Sequence, residues 1–98
     1  MVISYSIYEK DDEVLLAACD KELLGETLEE GEIHFEVKES FYGGNIADED
    51  ELCKHFNDIT VANLVGTKTV NTAIEEGFGF EENVLWIEDI PHLQIVRM

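Results

Sequence analysis

Residues 2–19, VISYSIYEKDDEVLLAAC, predict a β-hairpin on which the remaining elements can assemble. Apolar and polar side chains alternate from Val2 to Glu9, which is typical of a strand with one face on a hydrophobic core. Residues 10–12 are charged and predict the turn. The run from Val14 to Cys19 is apolar at successive positions, so the second strand is expected to be central and covered on both faces.

Two shorter elements are predicted between this hairpin and the middle of the chain. Asp20 can begin a short helix over Lys21 to Glu29, although Gly25 disfavours a helix and a turn followed by a loop is the alternative. Residues 32–39 then alternate between apolar and polar without interruption. This pattern predicts a strand with one face exposed to solvent.

Two helices are predicted on either side of a buried strand. Asp48 indicates the capped start of a helix whose inner face carries Leu52 and Phe56. Residues 59–65 are mostly β-branched or apolar and predict a short buried strand. A second helix follows this strand and is expected to end at Gly77 in the left-handed conformation.

The last two predicted strands are Asn83 to Ile87 and Leu93 to Val96, separated by a tight turn around Pro91 and His92. The order of strands and helices predicts an α+β fold. We expect a single domain over residues 1–98, with a mixed, mostly antiparallel sheet of about five to six strands and two to three helices.

The chain is strongly acidic, with 23 Asp and Glu against 6 Lys and Arg and a formal net charge of −17. Such a charge disfavours unaided binding to nucleic acid or to an anionic membrane, because both carry the same sign. It favours a cationic partner or a salt-rich solution, so we predict adaptation to a cytoplasm of high salt.

Cysteine usage and the lack of sorting signals indicate a cytoplasmic protein. Cys19 and Cys53 form no CxxC motif, and we expect two reduced, largely buried thiols. The N-terminal residues lack the basic start and apolar run of a secretory signal. The longest uncharged run, Ile59 to Thr67, is too short to span a bilayer.

The segment Phe41 to Asn45, FYGGN, is predicted to be a loop. Two adjacent glycines permit positive φ and close approach of the backbone to a ligand. One interpretation is therefore a ligand-contact loop with Tyr42 and Asn45 as its polar groups. The other is a sharp turn between a strand and a helix, with Phe41 and Tyr42 in the core.

Residues 63–69, NLVGTKT, lead from a strand into the start of a helix. Free N–H groups at a helix start bind anions, and Thr67 and Lys68 would assist. The segment does not match a Walker loop, because Gly66 lacks an earlier glycine at the required spacing. We therefore exclude nucleotide hydrolysis and retain two interpretations, a weak anion site and an ordinary capped helix start.

His92 is the histidine with the clearest functional reading. Its predicted position in a turn after Pro91 could aim the imidazole into a cleft, where it could act as a general acid or base. A pair with either cysteine is a further alternative, although inert core thiols are favoured. The other two histidines, His34 and His55, have no ligand at metal spacing, so no metal site is predicted.

Several segments together resemble one family. The matching segments are Leu23-Leu24-Gly25, Phe41-Tyr42-Gly43-Gly44, Ala62-Asn63-Leu64-Val65-Gly66, Glu82-Asn83-Val84 and Pro91-His92-Leu93-Gln94-Ile95-Val96-Arg97. In this order and spacing they resemble the archaeal "domain of unknown function 424" family over essentially the whole chain. The resemblance implies a small, cytosolic, single-domain α+β protein with no established activity or cofactor, grouped loosely with translation and RNA-binding functions.

These observations favour a non-enzymatic binding or accessory module, linked to translation or RNA metabolism through a protein partner or through a local anion or nucleotide patch. We predict no cofactor and no membrane. The predicted binding residues lie in three segments that are expected to converge: Tyr42, Gly43, Gly44 and Asn45; Asn63, Gly66, Thr67 and Lys68; and His92. The alternatives are a small enzyme using His92 with Asn63 and Tyr42, and a homodimer formed by pairing of edge strands.

Overall fold

The predicted hairpin begins the fold. In the computed structural model, which describes residues 2–97, β1 (Ile3–Lys10) pairs antiparallel with β2 (Glu13–Asp20). Residues 16–19 of β2 are fully buried, which confirms a central strand covered on both faces. The alternation of β1 and the apolar run of β2 are local signals, and both are realised as predicted.

Besides β1 and β2, the main sheet contains β5 (Asn45–Ala47), β6 (Val61–Val65), β7 (Leu85–Ile87) and β8 (Ile90–Val96). Within residues 2–97 these six strands form one mixed sheet in the order β5-β1-β2-β6-β8-β7. The pairing of β2 with β6 is parallel, and the other pairings within this sheet are antiparallel. The predicted α+β class is confirmed.

A separate two-stranded ribbon contains a strand within the predicted residues 32–39 and a second strand where a helix was predicted. Residues 21–23 form one 3₁₀ turn, and β3 (Thr27–Glu30) then pairs with β4 (Ile33–Glu36). The helix over Lys21 to Glu29 is therefore wrong. Its proposed cap, Asp20, caps nothing there, and Gly25 takes a left-handed φ of 83° that ends the turn.

The three α-helices are α1 (Glu39–Tyr42), α2 (Glu49–Phe56) and α3 (Thr67–Glu75). The Asp48 side chain accepts from the Glu51 N–H at 2.9 Å, which confirms the predicted cap of α2. Beyond α3, Gly77 has a φ of 83° and the Phe78 N–H donates to the Ala73 carbonyl at 2.9 Å. This geometry confirms the predicted left-handed end of the helix.

Two predicted loops are in fact regular structure. Phe41 and Tyr42 end α1, and Asn45 begins β5, so only the two glycines connect them. Pro91 and His92 lie within β8 rather than in a turn. The turn is made one step earlier by Glu88 and Asp89, both with positive φ.

Pro91 is tolerated in β8 because of where its backbone points. Its carbonyl accepts from the Gly66 N–H at 2.9 Å, just past the last residue of β6. The N–H and C=O groups of one strand residue point towards the same neighbouring strand, which for Pro91 is β6. The N–H that Pro91 lacks would therefore face Gly66, one residue beyond the end of β6. The proline therefore costs the sheet no hydrogen bond within its paired strands.

The two faces of the sheet are covered unequally. Helices α2 and α3 pack on one face and bury a core that includes Leu16, Leu64 and Phe56. The ribbon and α1 pack on the other face, where a second core contains Cys19 and Val65. This second layer covers the end of the sheet near Asp20 and reaches Tyr8 through Phe41 of α1, whereas Val96, in the row of Tyr8, is left exposed.

Candidate cleft between the sheet and the ribbon

A cleft of about 560 Å³ opens where the ribbon and α1 meet the sheet. The sheet forms its floor, and α1 with β4 forms its walls. Four of the nine lining residues are Phe or Tyr. The lining residues are Tyr8, Phe35, Glu36, Lys38, Ser40, Phe41, Tyr42, Asn63 and His92.

The strand alternation explains why Asn63 and His92 face this cleft. Asn63 lies between Ala17 and Gln94 in the sheet register, and His92 lies opposite Val65. Their neighbours along the chain point into the helix-side core, because successive strand residues face opposite sides. A polar residue in a mostly apolar strand is thereby placed on the face that the helices do not cover.

Hydrogen bonds and one ring contact hold α1 against β1. They come from Ser4, Ser6 and Tyr8, which share the face of β1 that appears polar in the sequence. The Ser4 hydroxyl donates to the Tyr42 carbonyl at 3.0 Å. The Tyr8 hydroxyl donates to the Phe41 carbonyl at 2.7 Å, and the Tyr8 ring stacks on the Phe41 ring at 5.3 Å. The Ser6 hydroxyl donates to the Gly43 carbonyl. These contacts fix the position of the aromatic wall.

The glycines of this segment are explained by packing. A β-carbon on Gly43 would lie 2.6 Å from the Glu39 carbonyl oxygen, so only glycine fits this helix end. Gly44 has a φ of 124°. Asn45 is exposed in β5, and its amide donates to the Tyr5 carbonyl at 3.3 Å. These three residues do not line the cleft, which favours the sharp-turn interpretation of the segment.

Burial sets the protonation of the two titratable groups at the back of the cleft. His92 is half-buried against the Phe35 ring, with centroids 4.8 Å apart, and burial lowers its pKa below the usual 6.5. The imidazole is therefore neutral at pH 7. Burial, with a contribution from Cys19, raises the pKa of Tyr42 to about 12, so its hydroxyl stays protonated.

Neither cysteine can serve as a nucleophile beside His92. Burial, with smaller contributions from the charges of Asp20 and Glu22, raises the pKa of Cys19 to about 12. Burial also raises the pKa of Cys53, with acidic neighbours adding to the effect. Both thiols are free, both stay protonated at neutral pH, and neither lines the cleft.

The polar groups on the cleft floor keep their hydrogen-bonding capacity for a ligand. Among residues 2–97, no protein group forms a hydrogen bond with the Asn63 amide or the His92 imidazole. The amide offers donors and an acceptor, and the neutral imidazole offers one of each. The cleft thus combines aromatic walls with a small set of directional polar groups, as ligand sites generally do.

The start of α3 is not an open anion site. The Asp20 carboxylate accepts from the Lys68 N–H at 3.1 Å and from the Thr69 N–H and hydroxyl, each at 2.8 Å. The Lys68 ammonium lies 3.4 Å from Glu49. Gly66 is buried beside Asp20, and Thr67 is exposed outside the cleft. Two N–H groups of the first turn are therefore already occupied by a carboxylate, which favours the ordinary capped helix start over the anion site.

The structure thus brings together one residue from each predicted segment: Tyr42, Asn63 and His92. The predicted residues that it leaves outside the cleft are Gly43, Gly44, Asn45, Gly66, Thr67 and Lys68. The sequence reading missed Tyr8 and Phe35 as lining residues. Tyr8 lies on the face of β1 that appears polar, and a large aromatic among two serines is the signal that could have found it.

Comparison with known proteins places the chain in a family. Residues 8–98 match the family described as "Protein of unknown function (DUF424)", and the chain belongs to that family. The fold is shared with a crystal structure of an uncharacterized conserved protein from Methanopyrus kandleri, at 23% identity and a TM-score of 0.84, covering 100% of this chain and 95% of that one. No curated protein matches the chain.

Two further observations concern membrane-spanning helices and metal-binding clusters. Over residues 2–97, no helix is long and apolar enough to cross a membrane. Within the same residues, no group of three or more His, Cys, Asp or Glu side chains is arranged to hold a metal ion.

Proposed function

We propose that this protein is a non-enzymatic binding module that holds a segment of a basic protein partner in the cleft between the sheet and the ribbon. The observation that carries the proposal is the floor of the cleft, where Asn63 and His92 present unpaired polar groups between aromatic walls. An amide and a neutral imidazole suit a peptide, since a peptide backbone offers a donor and an acceptor at each residue.

The charge of the molecule selects the class of partner. The net charge is −17, and within the cleft the single cation, Lys38, is accompanied by Glu36. A phosphate backbone would meet repulsion with no basic track to offset it. A cationic protein segment would be attracted over a long range, and its association would be accelerated at low salt.

This charge preference is the basis for the link to RNA metabolism that we propose. Proteins that bind nucleic acid carry basic surfaces, so components of translation and RNA processing have the charge that this module attracts. An acidic accessory protein in the cytoplasm could hold such a component without contacting RNA itself. The free, protonated thiols of Cys19 and Cys53 suit a reducing compartment.

The test is affinity capture from native cytosol with the full-length chain, at high salt and after nuclease treatment. We expect one defined basic protein of translation or RNA processing to be enriched. Asn63→Ala and His92→Ala should reduce its recovery by about tenfold or more, since each removes a directional contact. Asn45→Ala and His34→Ala are the matched controls, because both residues are exposed outside the cleft.

Two results would overturn this proposal. One is capture of the same protein by the Asn63 and His92 variants at wild-type levels. The other is binding through RNA: RNA is recovered without nuclease treatment, and nuclease treatment removes every bound protein.

A second function, a small enzyme, is favoured by one specific observation. His92 is half-buried and neutral, and it lines the cleft with Asn63. A neutral imidazole in a cleft is able to act as a general base. A thermal-shift screen with metabolites would identify a ligand for this activity. Turnover of that ligand that is abolished by His92→Gln, and retained in His34→Gln, would establish the enzyme in place of the binding module.

A further inference from the structure

A row of four apolar side chains crosses the open half of the sheet. Tyr8 pairs with Leu15, Leu15 with Val61, and Val61 with Val96, so the four lie side by side on adjacent strands. We call this set the apolar row. It spans about 14 Å, since neighbouring strands are about 4.8 Å apart.

The apolar row is on the same face as the cleft, and residues 2–97 cover it only in part, with the Phe41 ring of α1 stacked on Tyr8. Val96 is 63% exposed and Tyr8 is 38% exposed, while Leu15 and Val61 are half-buried. The next row on this face contains Asn63, two residues along β6 from Val61. The row and the cleft floor are therefore one continuous surface.

The opposite face of the same strands shows what normally covers such a row. There the residues next in sequence, Ile7, Leu16, Ala62 and Ile95, also lie side by side. They contact α2 and α3, and three of the four are buried. Beyond the contact of Phe41 with Tyr8, the apolar row has, among residues 2–97, no counterpart of the helix layer that buries the opposite row.

The charges at the end of the sheet indicate the character of that layer. The exposed acids beyond the apolar row are Glu9, Asp11, Asp12, Glu13 and Asp58. Lys10 is the one basic side chain of the hairpin tip. The Arg97 guanidinium is held at the helix side, where it donates to the Phe56 carbonyl at 2.7 Å and lies over the Phe78 ring. A second copy of the chain would bring the same acids together, which disfavours a homodimer through this face.

We infer that the apolar row is the docking surface for an amphipathic helix of the partner, with an apolar stripe against the row and basic residues beside it. This inference rests on the proposed function and adds the form of the bound segment. A helix that presents an apolar stripe to a groove is a recurrent mode of peptide recognition. One end of the docked helix would reach the cleft, where Asn63 and His92 could bind its last turn.

The probe is a fluorescein-labelled peptide of about 18 residues, roughly five helical turns, composed of Leu and Lys with the leucines on one helix face. We measure anisotropy with the full-length protein at about 0.15 M salt, a concentration at which long-range attraction is partly screened. The first control peptide has the same composition in an order that gives no apolar face. We expect the amphipathic peptide to bind about tenfold more tightly than this control.

Protein variants locate the contact. Val96→Ser should weaken the amphipathic peptide by about tenfold, because it removes exposed apolar area without touching the core. Val61→Thr retains the side-chain shape but replaces a methyl group with a hydroxyl, and it should also weaken binding of the amphipathic peptide. Trp86→Ser is the matched control, because Trp86 is also exposed, at 56%, but lines a cavity with Val70 and Ile74 of α3.

Equal binding of the two peptides, or binding that Val96→Ser leaves unchanged, would overturn the inference. A dimer in sedimentation equilibrium that Val96→Ser dissociates would also overturn it, because a second copy would then cover the row. These results are separate from a failure of the proposed function. Capture of a partner that depends on Asn63 and His92 would persist if only the helix inference were wrong.

Discussion

The carboxylate of Asp20 occupies the space that a β-carbon on Gly66 would need. Such a carbon would lie 2.7 Å from Asp20 Oδ1 and 2.8 Å from Oδ2, closer than non-bonded atoms approach. Asp20 is 5% exposed and accepts hydrogen bonds from the first turn of α3. One side chain therefore joins the end of β2, the end of β6 and the start of α3, next to the strands that hold Asn63 and His92.

Replacing Gly66 by alanine should destabilise the fold by about 3 kcal/mol, because it combines an unfavourable φ with a collision against a buried carboxylate. The φ of Gly66 is 109°. The free energy of unfolding in urea measures the effect. Gly77→Ala is the matched control, since Gly77 also has positive φ but no atom lies within 4 Å of its added carbon. It should cost about 1 kcal/mol, and equal costs at the two positions would contradict the role assigned to Asp20.

Removing the Asp20 carboxylate should cost about 2 kcal/mol, because it leaves buried N–H groups of α3 without an acceptor. Asp48→Ala, at the exposed cap of α2, is the control and should cost about 1 kcal/mol. In the Asp20→Ala background, Gly66→Ala should be less damaging than in the wild type by about 1 kcal/mol, because the colliding group is gone. A double-mutant cycle from urea unfolding gives this coupling. Strict additivity would show that the two residues do not interact.

Asp20 also marks a limit of what the sequence could predict. Asp20 was predicted to cap a helix in the residues that directly follow it, as capping residues usually do. The N–H groups that it actually caps lie 48 and 49 positions later, at the start of α3. The hairpin, the cap of α2 and the left-handed Gly77 were predicted because their causes lie within a few residues. Strand β4 of the ribbon was predicted from its alternation, but β3 and the pairing of the two strands were not, since the burial of the ribbon depends on a sheet face assembled from distant strands.

The candidate cleft was predictable in part for the same reason. Tyr42 was selected beside two glycines, Asn63 in a segment that leads into a helix start, and His92 in a predicted turn, and the fold brings these three together although His92 lies in a strand. Phe35 gave no such signal, because it alternates like any other core residue of a strand. The position of the turn before β8 was missed because Glu88 and Asp89 adopt positive φ without the glycine or asparagine that usually indicates it.

The neutral state of His92 should make the stability of the fold depend on pH. Burial lowers the pKa of His92 in the folded protein below its usual 6.5, so the unfolded chain binds the proton more tightly. The contribution of His92 is therefore fully present above pH 6.5 and is lost as the pH falls through 6.5 towards the folded pKa. The free energy of unfolding, measured from about pH 7.5 to 5.5, should decline, and His92→Gln should make the decline shallower.

A direct reading of the same group is available from the ring protons of His92 in a proton NMR titration. Its midpoint should lie below 6.5. The charged groups that line the cleft around it are Glu36 and Lys38. A midpoint at or above 6.5 would mean that the carboxylate of Glu36 outweighs burial, and the neutral imidazole on which both candidate functions depend would be lost.

The net charge of −17 should make the fold more stable as salt is added, which is the behaviour expected of a protein adapted to a salt-rich cytoplasm. Acids are spread along the whole chain, so their mutual repulsion destabilises the compact state and is screened when the Debye length falls to about 3 Å at 1 M salt. The Tm should therefore rise between about 0.02 M and 1 M KCl.

A variant with Glu81→Gln and Glu82→Gln, both exposed positions, separates screening from general salt effects. Because it removes charge directly, it should melt higher than the wild type at low salt and nearly equal to it at high salt. A Tm that fails to rise, or a variant whose advantage persists at high salt, would contradict charge repulsion as the cause.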